Sequence, residues 1–396
     1  MSEWKEVSLS ELGKTITGKT PSSQYPEDFG DEVPFITPSD SFEKKYISRS
    51  ERYLSRLGSD RLKDKIISSD SIMVTCIGSA MGKVAKNSLP SVTNQQINSI
   101  IVNENFDSDY IYYLFKNNYA VFRNAASGST AIPILNKTDF DNLRFKVELD
   151  LNQQRKMVSI LSKIDAKIEI NNQINQELEA MAKTLYDYWF LQFDFPDQNG
   201  KPYKSSGGKM VYNPEREREI PEGWEVEKLS HFLTIKNGKD HKHLQDGKFA
   251  VYGSGGIMRT VTEYLYSGES ILFPRKGTLN NVMYVNEKFW TVDTMFYSEV
   301  NKNNSALYVF YSVKDIDFNK LNTGTGVPSM TSSILYDLSI IVPEENILEK
   351  FNTIVKRNYE TIKLNNIQNQ ELIQLRDWLL PMLMNGQVKV EKSNCK

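Results

Sequence analysis

The sequence contains one pattern twice, and this internal repeat constrains the fold more than any other feature. The first pairs are 220 positions apart, namely Trp4 and Trp224, Leu9 and Leu229, Ser10 and Ser230, Gly18 and Gly238, and Lys19 and Lys239. Later pairs follow at shorter offsets, 199 for Gly78 and Gly277, 195 for Ile132-Pro133 and Val327-Pro328, and 194 for the Asn-Asn-x-x-Asn-Gln-Glu-Leu motifs that begin at Asn171 and Asn365. A period of about 200 residues is too long for a solenoid and predicts a duplicated globular domain followed by a helix.

Length and composition are those of an ordinary protein with more than one domain. The chain has 396 residues, of which 39% are hydrophobic and 25% charged, so each of two domains can bury its own core. No apolar run approaches the ~20 residues of a membrane span, and the N-terminal sequence lacks the pattern of a signal peptide. Cys76 and Cys395 are isolated. We therefore expect a reduced, cytoplasmic protein without a structural zinc site.

The net charge of −2 does not indicate nucleic-acid binding, but affinity depends on local patches rather than on the sum. Residues 42–65 contain eight Lys and Arg against four acids, with Tyr46 and Tyr53 between them. Residues 236–248 contain four Lys and two His against two acids. Charge alone would also fit a solvated face.

Two segments, residues 1–150 and residues 213–345, have the pattern of mixed α+β domains. Short apolar runs bounded by turn residues predict strands at 71–77, 97–102 and 269–273. Apolar spacing predicts short helices at 110–122 and 306–313. Residues 193–212 are rich in Pro, Gly and Ser and are predicted to be a linker that lets the chain turn back.

Residues 151–192 and 346–386 differ in kind, because each carries a seam, a line of apolar or amide side chains spaced alternately four and three apart. The first seam comprises Met157, Leu161, Ile164, Ile168, Asn171, Asn175, Leu178, Ala182 and Leu185. The second comprises Phe351, Val355, Asn358, Ile362, Asn365, Asn369, Leu372, Arg376 and Leu379. Helices of this length reach roughly 50–60 Å, and the predicted partner of each seam is the other one.

Four asparagines on these seams, Asn171, Asn175, Asn365 and Asn369, are predicted to fix the register of the helix pair. A slipped pairing would leave their amides in apolar surroundings, so such residues weaken packing but specify alignment. The alternative is that both helices pack on their own domains with the amides in water. Matching amides in both copies favour the paired seam.

The segment Gly13–Thr20 matches the P-loop pattern G-x-x-x-x-G-K-T, but its context argues against nucleotide binding. A P-loop requires a helix that begins at the Lys-Thr pair, whereas Pro21 follows Thr20 directly and the second copy has Leu233 in place of Gly13. All three histidines lie at 231–243 of one copy, and no Asn/Asp-Pro-Pro-aromatic motif of a DNA methyltransferase is present. We predict a turn at this position, and neither a catalytic site nor a metal site in the chain.

The order of motifs resembles the specificity subunit of type I restriction–modification enzymes. In the first copy the resemblance rests on Trp4-x-x-Val7-x-Leu9-x-x-Leu12 leading to Gly18-Lys-Thr-Pro21, on Val33-Pro-Phe-Ile-Thr-Pro-Ser-Asp40 and on Thr93-Asn-Gln-Gln-Ile97. In the second copy it rests on Pro221-x-Gly223-Trp224, Val251-Tyr-Gly-Ser-Gly-Gly256 and Phe273-Pro-Arg-Lys-Gly-Thr278. It extends over residues 4–386, with one departure, since Asp293-Thr294 stands in place of Asn94-Gln95.

This resemblance implies an α+β fold of two similar target-recognition domains separated by two long antiparallel coiled-coil helices. It implies a non-catalytic subunit in which each domain binds one half of a bipartite DNA target and the helices set the unread spacer. The implied partners are double-stranded DNA, two methyltransferase subunits that bind S-adenosylmethionine, and motor–nuclease restriction subunits that use ATP and Mg²⁺. The chain itself is expected to bind no cofactor.

Loops rich in Gly, Lys, Thr and Ser can approach phosphates, and Arg or Lys can bind guanine edges. On this basis we predict DNA contacts at Lys19, Thr20, Arg49, Arg52, Arg56, Lys83 and Lys86 in the first copy and at Lys239, His241, Lys242, Arg275, Lys276 and Thr278 in the second. Each of these residues also fits ordinary surface charge. Two other functions stay open, a specificity subunit of a type II methyltransferase–nuclease system and a coiled-coil scaffold that does not bind DNA.

Overall fold

The computed structural model describes residues 3–78, 81–125, 133–324, 326–388 and 390. Ile132 and Cys395, both considered above, lie outside the described residues. The chain divides into two compact units, unit 1 with residues 1–170 and 368–396 and unit 2 with residues 171–367. The division falls within two long helices, so each unit has a globular part and a segment of both helices.

Unit 1 mixes strands and short helices. Its strands are β1 (Trp4–Ser8), β2 (Gly13–Thr17), β3 (Phe29–Gly30), β4 (Val33–Ile36), β5 (Tyr46–Ile47), β6 (Tyr53–Leu54), β7 (Ile66–Ile67), β8 (Ile72–Thr75), β9 (Val84–Asn87), β10 (Ser91–Thr93), β11 (Ile97–Val102) and β12 (Arg144–Glu148). Its short helices are α1 (Leu9–Leu12), α2 (Arg56–Arg61), α3 (Ser108–Asn117), α4 (Tyr119–Asn124) and α5 (Lys137–Asp141). The strands form the antiparallel pair β1-β12 and two sheets of order β3-β6-β4-β10-β7 and β2-β11-β8-β9-β5.

The long helix α6 (Leu151–Tyr186) leads into unit 2. The strands of unit 2 are β13 (Met210–Asn213), β14 (Arg218–Pro221), β15 (Glu225–Lys228), β16 (Leu233–Asn237), β17 (Asp246–Gly253), β18 (Gly256–Val261), β19 (Tyr266–Pro274), β20 (Met283–Thr291), β21 (Met295–Val300) and β22 (Ser339–Val342). Helices α7 (Ala306–Lys314) and α8 (Ser332–Tyr336) precede the second long helix, α9 (Glu345–Met384). The main sheet has the order β16-β21-β19-β20-β17-β18, and β15 pairs antiparallel with β22.

The main sheets of the two units share one topology. The order β2-β11-β8-β9 corresponds strand for strand to β16-β21-β19-β20, and a further strand follows in each sheet, β5 in unit 1 and β17 in unit 2. The last pair is parallel in both sheets, β5 with β9 and β17 with β20, and the other pairs are antiparallel. Unit 1 adds a second sheet and unit 2 adds β18. The predicted α+β fold with an internal repeat is therefore confirmed.

One short helix in each unit joins the globular part to the long helices. In unit 1, residues Tyr110–Phe115 of α3 are all buried, in one apolar cluster with Met157 and Leu161 of α6 and Leu380 of α9. In unit 2, Ala306–Val309 of α7 are buried in a cluster with Ala182 of α6 and with Phe351 and Val355 of α9. Burial of this much apolar surface holds each globular part firmly on the helices.

The heptad seams predicted from the sequence coincide with the buried face of the long helices. Every seam position of α6 and α9 is buried or half-buried, whereas the residues between them are mostly exposed. Within unit 2, Asn175 contacts Asn365 and Asn366, and Asn358 Nδ2 lies 3.4 Å from the carbonyl oxygen of Leu178, so α6 and α9 run antiparallel. Within unit 1, the guanidinium of Arg376 lies 3.1 Å from Asp165.

Two segments differ from their predicted structure. The helix expected at 110–122 is two helices, because the chain breaks at Asn118, whose side chain donates to the carbonyl oxygen of Leu114 at 2.8 Å. The segment 193–212, predicted as a linker, packs on the core of unit 2, where Phe193 and Phe195 are buried against Trp224. Pro, Gly and Ser content alone does not separate a mobile linker from an ordered loop with two aromatic anchors.

Candidate nucleic-acid interface

In unit 1 the loops at one edge of the main sheet are tied together by backbone hydrogen bonds. The bonds run from Lys19 N–H to Thr93 O (2.9 Å), from Cys76 N–H to Gln96 O (2.8 Å), from Gly78 N–H to Pro133 O (3.1 Å) and from Leu135 N–H to Cys76 O (2.9 Å). We call this set of loops, with residues 18–20, 76–78, 93–96 and 133–135, loop edge 1.

Unit 2 repeats this frame bond for bond. The bonds run from Lys239 N–H to Thr291 O (2.9 Å), from Arg275 N–H to Thr294 O (2.8 Å), from Gly277 N–H to Pro328 O (3.1 Å) and from Met330 N–H to Arg275 O (2.9 Å). We call residues 238–243, 275–278, 291–294 and 327–330 loop edge 2. Residues that recur at the repeat offsets, such as Gly78 and Gly277 or Pro133 and Pro328, therefore make equivalent hydrogen bonds, and each bond holds the loops of its own unit together.

The repeated Gly-Lys pair has a steric cause. A Cβ atom on Gly18 would lie 2.1 Å from the carbonyl oxygen of Asn94, and one on Gly238 would lie 2.0 Å from that of Val292. Only glycine permits this approach of one loop to the next. Gly13–Thr17 forms β2, and Pro21 to Tyr25 are not helical, so the segment is a turn and lacks the helix that a P-loop requires.

The frame also corrects the alignment of one motif. Its hydrogen bonds equate Thr93 with Thr291 and Gln96 with Thr294, an offset of 198. Asp293 thus corresponds to Gln95 and not to Asn94, as the sequence comparison had it. Gln95 accepts a hydrogen bond from Thr20 Oγ1 at 2.6 Å in unit 1. Because unit 2 has Asp293 in place of Gln95, this bond has no identical counterpart there.

Most of the predicted cations of unit 1 lie on its surface. Lys19, Arg49, Arg52, Arg56 and Lys83 are exposed. Arg49 and Lys83 line an open pocket of about 590 Å³ together with residues 38–43 and 50–51. Arg52 stacks its guanidinium 4.0 Å from the ring centre of Phe29, and Lys83 pairs with Glu43 at 2.6 Å. Glu43 and Glu51 make this pocket mixed in charge.

The prediction of a DNA contact at Lys86 is wrong. Its side chain is fully buried, and its ammonium group lies 2.7 Å from Asp70 and 2.5 Å from Asp109. A buried charge is retained only when it is paired, and these two carboxylates provide that pairing. Lys86 therefore stabilises unit 1 and is not available to a phosphate.

The predicted residues of unit 2 are brought together on loop edge 2. Lys239, Lys242, Arg275, Lys276 and Thr278 are exposed, and His241 is half-buried. Trp290 fixes the first loop, since its indole N–H donates to the carbonyl oxygen of Lys239 at 2.9 Å. The guanidinium of Arg275 lies 5.9 Å from the ring centre of Phe296. Exposed cations on backbone that is held this tightly are suited to contact a polyanion.

The seam asparagines are buried or half-buried as their positions predict. Asn175 donates from Nδ2 to Asn366 Oδ1 at 2.9 Å and accepts at Oδ1 from Asn365 Nδ2 at 2.8 Å. Asn171 and Asn369 are buried. The bond to Asn366, which is not a seam position, was missed because a heptad pattern names one residue per turn.

The sequence also missed the equivalence of Cys76 and Arg275. Both donate and accept the same two backbone hydrogen bonds in their frames, but Arg275 is exposed while Cys76 is buried. Burial raises the pKa of the Cys76 thiol to about 12, so this side chain stays protonated and unreactive at neutral pH. The repeat offset of 199 was the signal that pairs these residues.

Comparison with known proteins decides the family. The family model of the type I restriction–modification DNA specificity domain matches residues 1–180 and 221–374. The chain belongs to this family. It is 37% identical to the specificity subunit of the type I restriction enzyme HindI from Haemophilus influenzae, over 98% of this chain and 100% of that protein. It is 29% identical to the MjaIX specificity subunit of Methanocaldococcus jannaschii, over 98% and 94%.

The fold of this specificity subunit agrees with a solved relative. The crystal structure of the type I S subunit from M. genitalium matches with a TM-score of 0.63 at 17% identity, over 99% of this chain and 97% of that one. The chain is thus the non-catalytic, DNA-recognising subunit type of a type I system, and family membership does not support the scaffold or type II alternatives. Within the described part of the chain, no helix has the length and apolar character needed to cross a membrane.

Proposed function

We propose that each unit binds one half of a bipartite DNA target through its loop edge. The observation that supports this most strongly is the duplicated frame, in which identical backbone hydrogen bonds present different side chains. Arg275 and Lys276 of unit 2 occupy the positions of Cys76 and Ile77 in unit 1. One backbone with exchanged side chains suits two half-targets that share the geometry of B-DNA but differ in sequence.

The predicted residues divide into two roles. Lys19, Lys239 and Lys242 stand on turns whose backbone is held by carbonyl oxygens, and they are proposed to neutralise phosphates and position the duplex. Arg275 is proposed to bind a base edge, because a guanidinium binds the O6 and N7 atoms of guanine in a bidentate manner. The remaining predicted residues are proposed to contact the half-target that their own unit binds. They are Thr20, Arg49, Arg52, Arg56 and Lys83 in unit 1 and His241, Lys276 and Thr278 in unit 2.

The long helices are proposed to set the unread spacer and to dock two methyltransferase subunits. Apolar side chains outside the seam positions are exposed on the long helices, with Ile174, Met181 and Leu364 in unit 2 and Ile373 and Trp378 in unit 1. Exposed apolar side chains on a helix favour a protein partner. The curated relatives are named as subunits of restriction enzymes, which favours the same assembly here.

In that assembly, S-adenosylmethionine belongs to the methyltransferase subunits, and ATP and Mg²⁺ belong to the motor–nuclease restriction subunits. The chain is proposed to contribute no cofactor site of its own and to act in the cytoplasm.

Sequencing of methylated adenines tests the proposal. The chain is expressed with its methyltransferase in a host, with a strain that lacks the chain as control, and a split motif is expected only when the chain is present. Arg275→Ala should relax the motif at one position of one half, because loss of a bidentate base contact costs about 1–3 kcal/mol of discrimination. The exposed Lys201, outside loop edge 2, provides the matched control Lys201→Ala, which should leave the motif unchanged.

An unchanged motif in Arg275→Ala would exclude base recognition by this residue. If an active methyltransferase bound to the chain produced no sequence-specific methylation, that result would contradict the proposed function as a whole.

A further inference from the structure

The hairpin of β17 and β18 exposes two neighbouring apolar side chains. Ile257 and Met258 are 63% and 60% exposed. They lie on β18, which ends the six-stranded sheet, directly after the turn Gly253–Gly256. End strands usually carry charged residues, because an apolar strand edge promotes association. Two large apolar side chains at this position therefore indicate a surface that meets a partner.

This turn is held against loop edge 2. The side chain of Asn281 donates to the carbonyl oxygen of Ser254 at 2.8 Å, and Val292 N–H donates to the carbonyl oxygen of Tyr252 at 3.1 Å. A Cβ atom on Gly277 would lie 2.9 Å from the hydroxyl oxygen of Ser254. The apolar pair is thus continuous with the loops that present Arg275, Lys276 and Thr278.

We propose that Ile257 and Met258 contact the 5-methyl groups of thymines in the major groove of the half-target bound by unit 2. This inference rests on the proposed function and deepens it, because it names the base feature that the hairpin recognises. The thymine methyl is the apolar group that base pairs present in the major groove, and apolar side chains are its usual partners. The cations of loop edge 2 meet the phosphates that flank such a groove.

Unit 1 differs at the corresponding place. There the residue equivalent to Tyr252 is Ile36, since Asn94 N–H donates to its carbonyl oxygen at 3.0 Å. The chain then continues with a polar turn, in which Asp40 accepts from the backbone N–H of Thr37 at 2.7 Å and Thr37 Oγ1 lies 2.7 Å from Ser39 Oγ. The methyl contact is therefore assigned to the half of the target that unit 2 binds, and the half that unit 1 binds is an internal control.

The test uses the complex of the full chain with its methyltransferase subunits, and duplexes that carry the motif found by methylation sequencing. The half bound by unit 2 is identified by Arg275→Ala, and each thymine in it is replaced in turn by uracil, which lacks only the methyl group. The wild-type complex should lose about fourfold in affinity at one or more of these positions, as expected for one buried methyl group. The double variant Ile257→Ser, Met258→Ser should bind thymine and uracil duplexes equally.

Tyr212→Ser serves as the matched control, because Tyr212 is 62% exposed on β13, outside the main sheet. It should keep the preference for thymine, and the melting temperatures of all variants show that they are folded. The proposal is overturned if uracil has no effect on the wild type at any position of this half, or if the double variant keeps the thymine preference. Loss of the methyltransferase from the double variant with thymine preference intact would identify a protein contact and also overturn it. In each of these outcomes sequence-specific methylation persists in the wild type, which distinguishes them from failure of the proposed function.

Discussion

Lys86 contributes to the stability of unit 1 through a buried ammonium group. Its ammonium group is buried between Asp70 and Asp109, and Asp109 also pairs with Lys45 at 2.8 Å. Removal of Lys86 leaves carboxylates that are only partly compensated. The cost is smaller than for a fully buried pair, because Asp70 is exposed and Asp109 keeps Lys45 as a partner, and the loss of hydrogen bonds to charged groups costs about 1–3 kcal/mol.

Lys86→Met should therefore lower the free energy of unfolding by about 1–3 kcal/mol, measured by urea denaturation. The matched control is Lys83→Met, since Lys83 is three residues away and pairs with Glu43 at the surface. An exposed pair contributes about 0–1 kcal/mol. Equal effects of the two substitutions would contradict the assignment of a buried structural pair.

Asp109 gives this cluster a dependence on pH. Burial raises the pKa of its carboxyl group, but hydrogen bonds and charge from Lys45 and Lys86 outweigh burial and lower the pKa below its ordinary 3.8. In the unfolded chain the group titrates near 3.8, so its pairing stabilises the fold above that pH. The stabilisation is lost as the pH falls through the lower pKa of the folded state.

The difference in unfolding free energy between the wild type and Asp109→Asn should thus be largest at neutral pH and shrink as the pH falls below 3.8. Urea denaturation at pH 7, 4 and 3 measures it. A difference that stays constant over this range would show that the carboxylate of Asp109 does not pair in the folded state.

No local pattern could have predicted that Lys86 is internal. Its partners lie 16 and 23 positions away along the chain, and all four residues of β9 are buried, so the strand shows no alternation. Surface residues such as Lys239 and Arg275 were predictable, because they stand in glycine-rich turns that recur in both copies. A cation in a turn is solvated by default, whereas a cation in a strand depends on the sheet around it.

At the scale of elements, Asn175 links α6 to α9 within unit 2. Its amide makes hydrogen bonds to both Asn365 and Asn366 across the helix pair. Asn175→Ala removes both bonds and leaves two amides without these partners, which should cost about 1–3 kcal/mol. Urea denaturation measures the change.

The control for this prediction is Gln176→Ala on the exposed face of the same helix, which should change the free energy of unfolding by less than about 0.5 kcal/mol. The double variant Asn175→Leu, Asn365→Leu separates the effect of these asparagines on the alignment of α6 and α9 from their effect on the free energy of unfolding. Apolar side chains fit a seam but do not specify its alignment. If Asn175→Ala is as stable as Gln176→Ala, the asparagine does not fix the helix pair.

The long helices were the most predictable elements, since seams repeated over whole helices fix both their type and their buried face. The break between α3 and α4 was not predictable from spacing, because the apolar pattern continues across Asn118. The packing of 193–212 was missed for the opposite reason. Phe193 and Phe195 are anchored by Trp224, which follows them by about thirty residues and is not part of any local pattern.

At the scale of the whole molecule, the repeat allowed the fold to be predicted and singled out the turns of the candidate site, but it did not predict the second sheet of unit 1. The strands of that sheet are β3, β4, β6, β7 and β10, and all but β10 lie in the segment 20–70, where insertions shorten the repeat offset from 220 to 199. These strands are two to four residues long, too short for period-two alternation to identify them. The frames that hold the loop edges were not predictable either, since a repeat shows that two residues correspond, not that they touch.

The globular part of unit 1 begins and ends on one antiparallel pair, in which Trp4 lies opposite Glu148, before α6 begins at Leu151. Residues 1–150 are therefore a closed segment that can be exchanged without cutting the main sheet. Replacement by the corresponding segment of another specificity subunit should change one half of the methylated motif and leave the other half intact, as read by sequencing of methylated adenines. The replacement must keep the apolar face of α3, because Tyr110–Phe115 pack in the cluster of Met157 and Leu161. The reciprocal exchange of residues 213–345 should alter only the other half. A change in both halves from either exchange would mean that the two loop edges do not act independently on DNA.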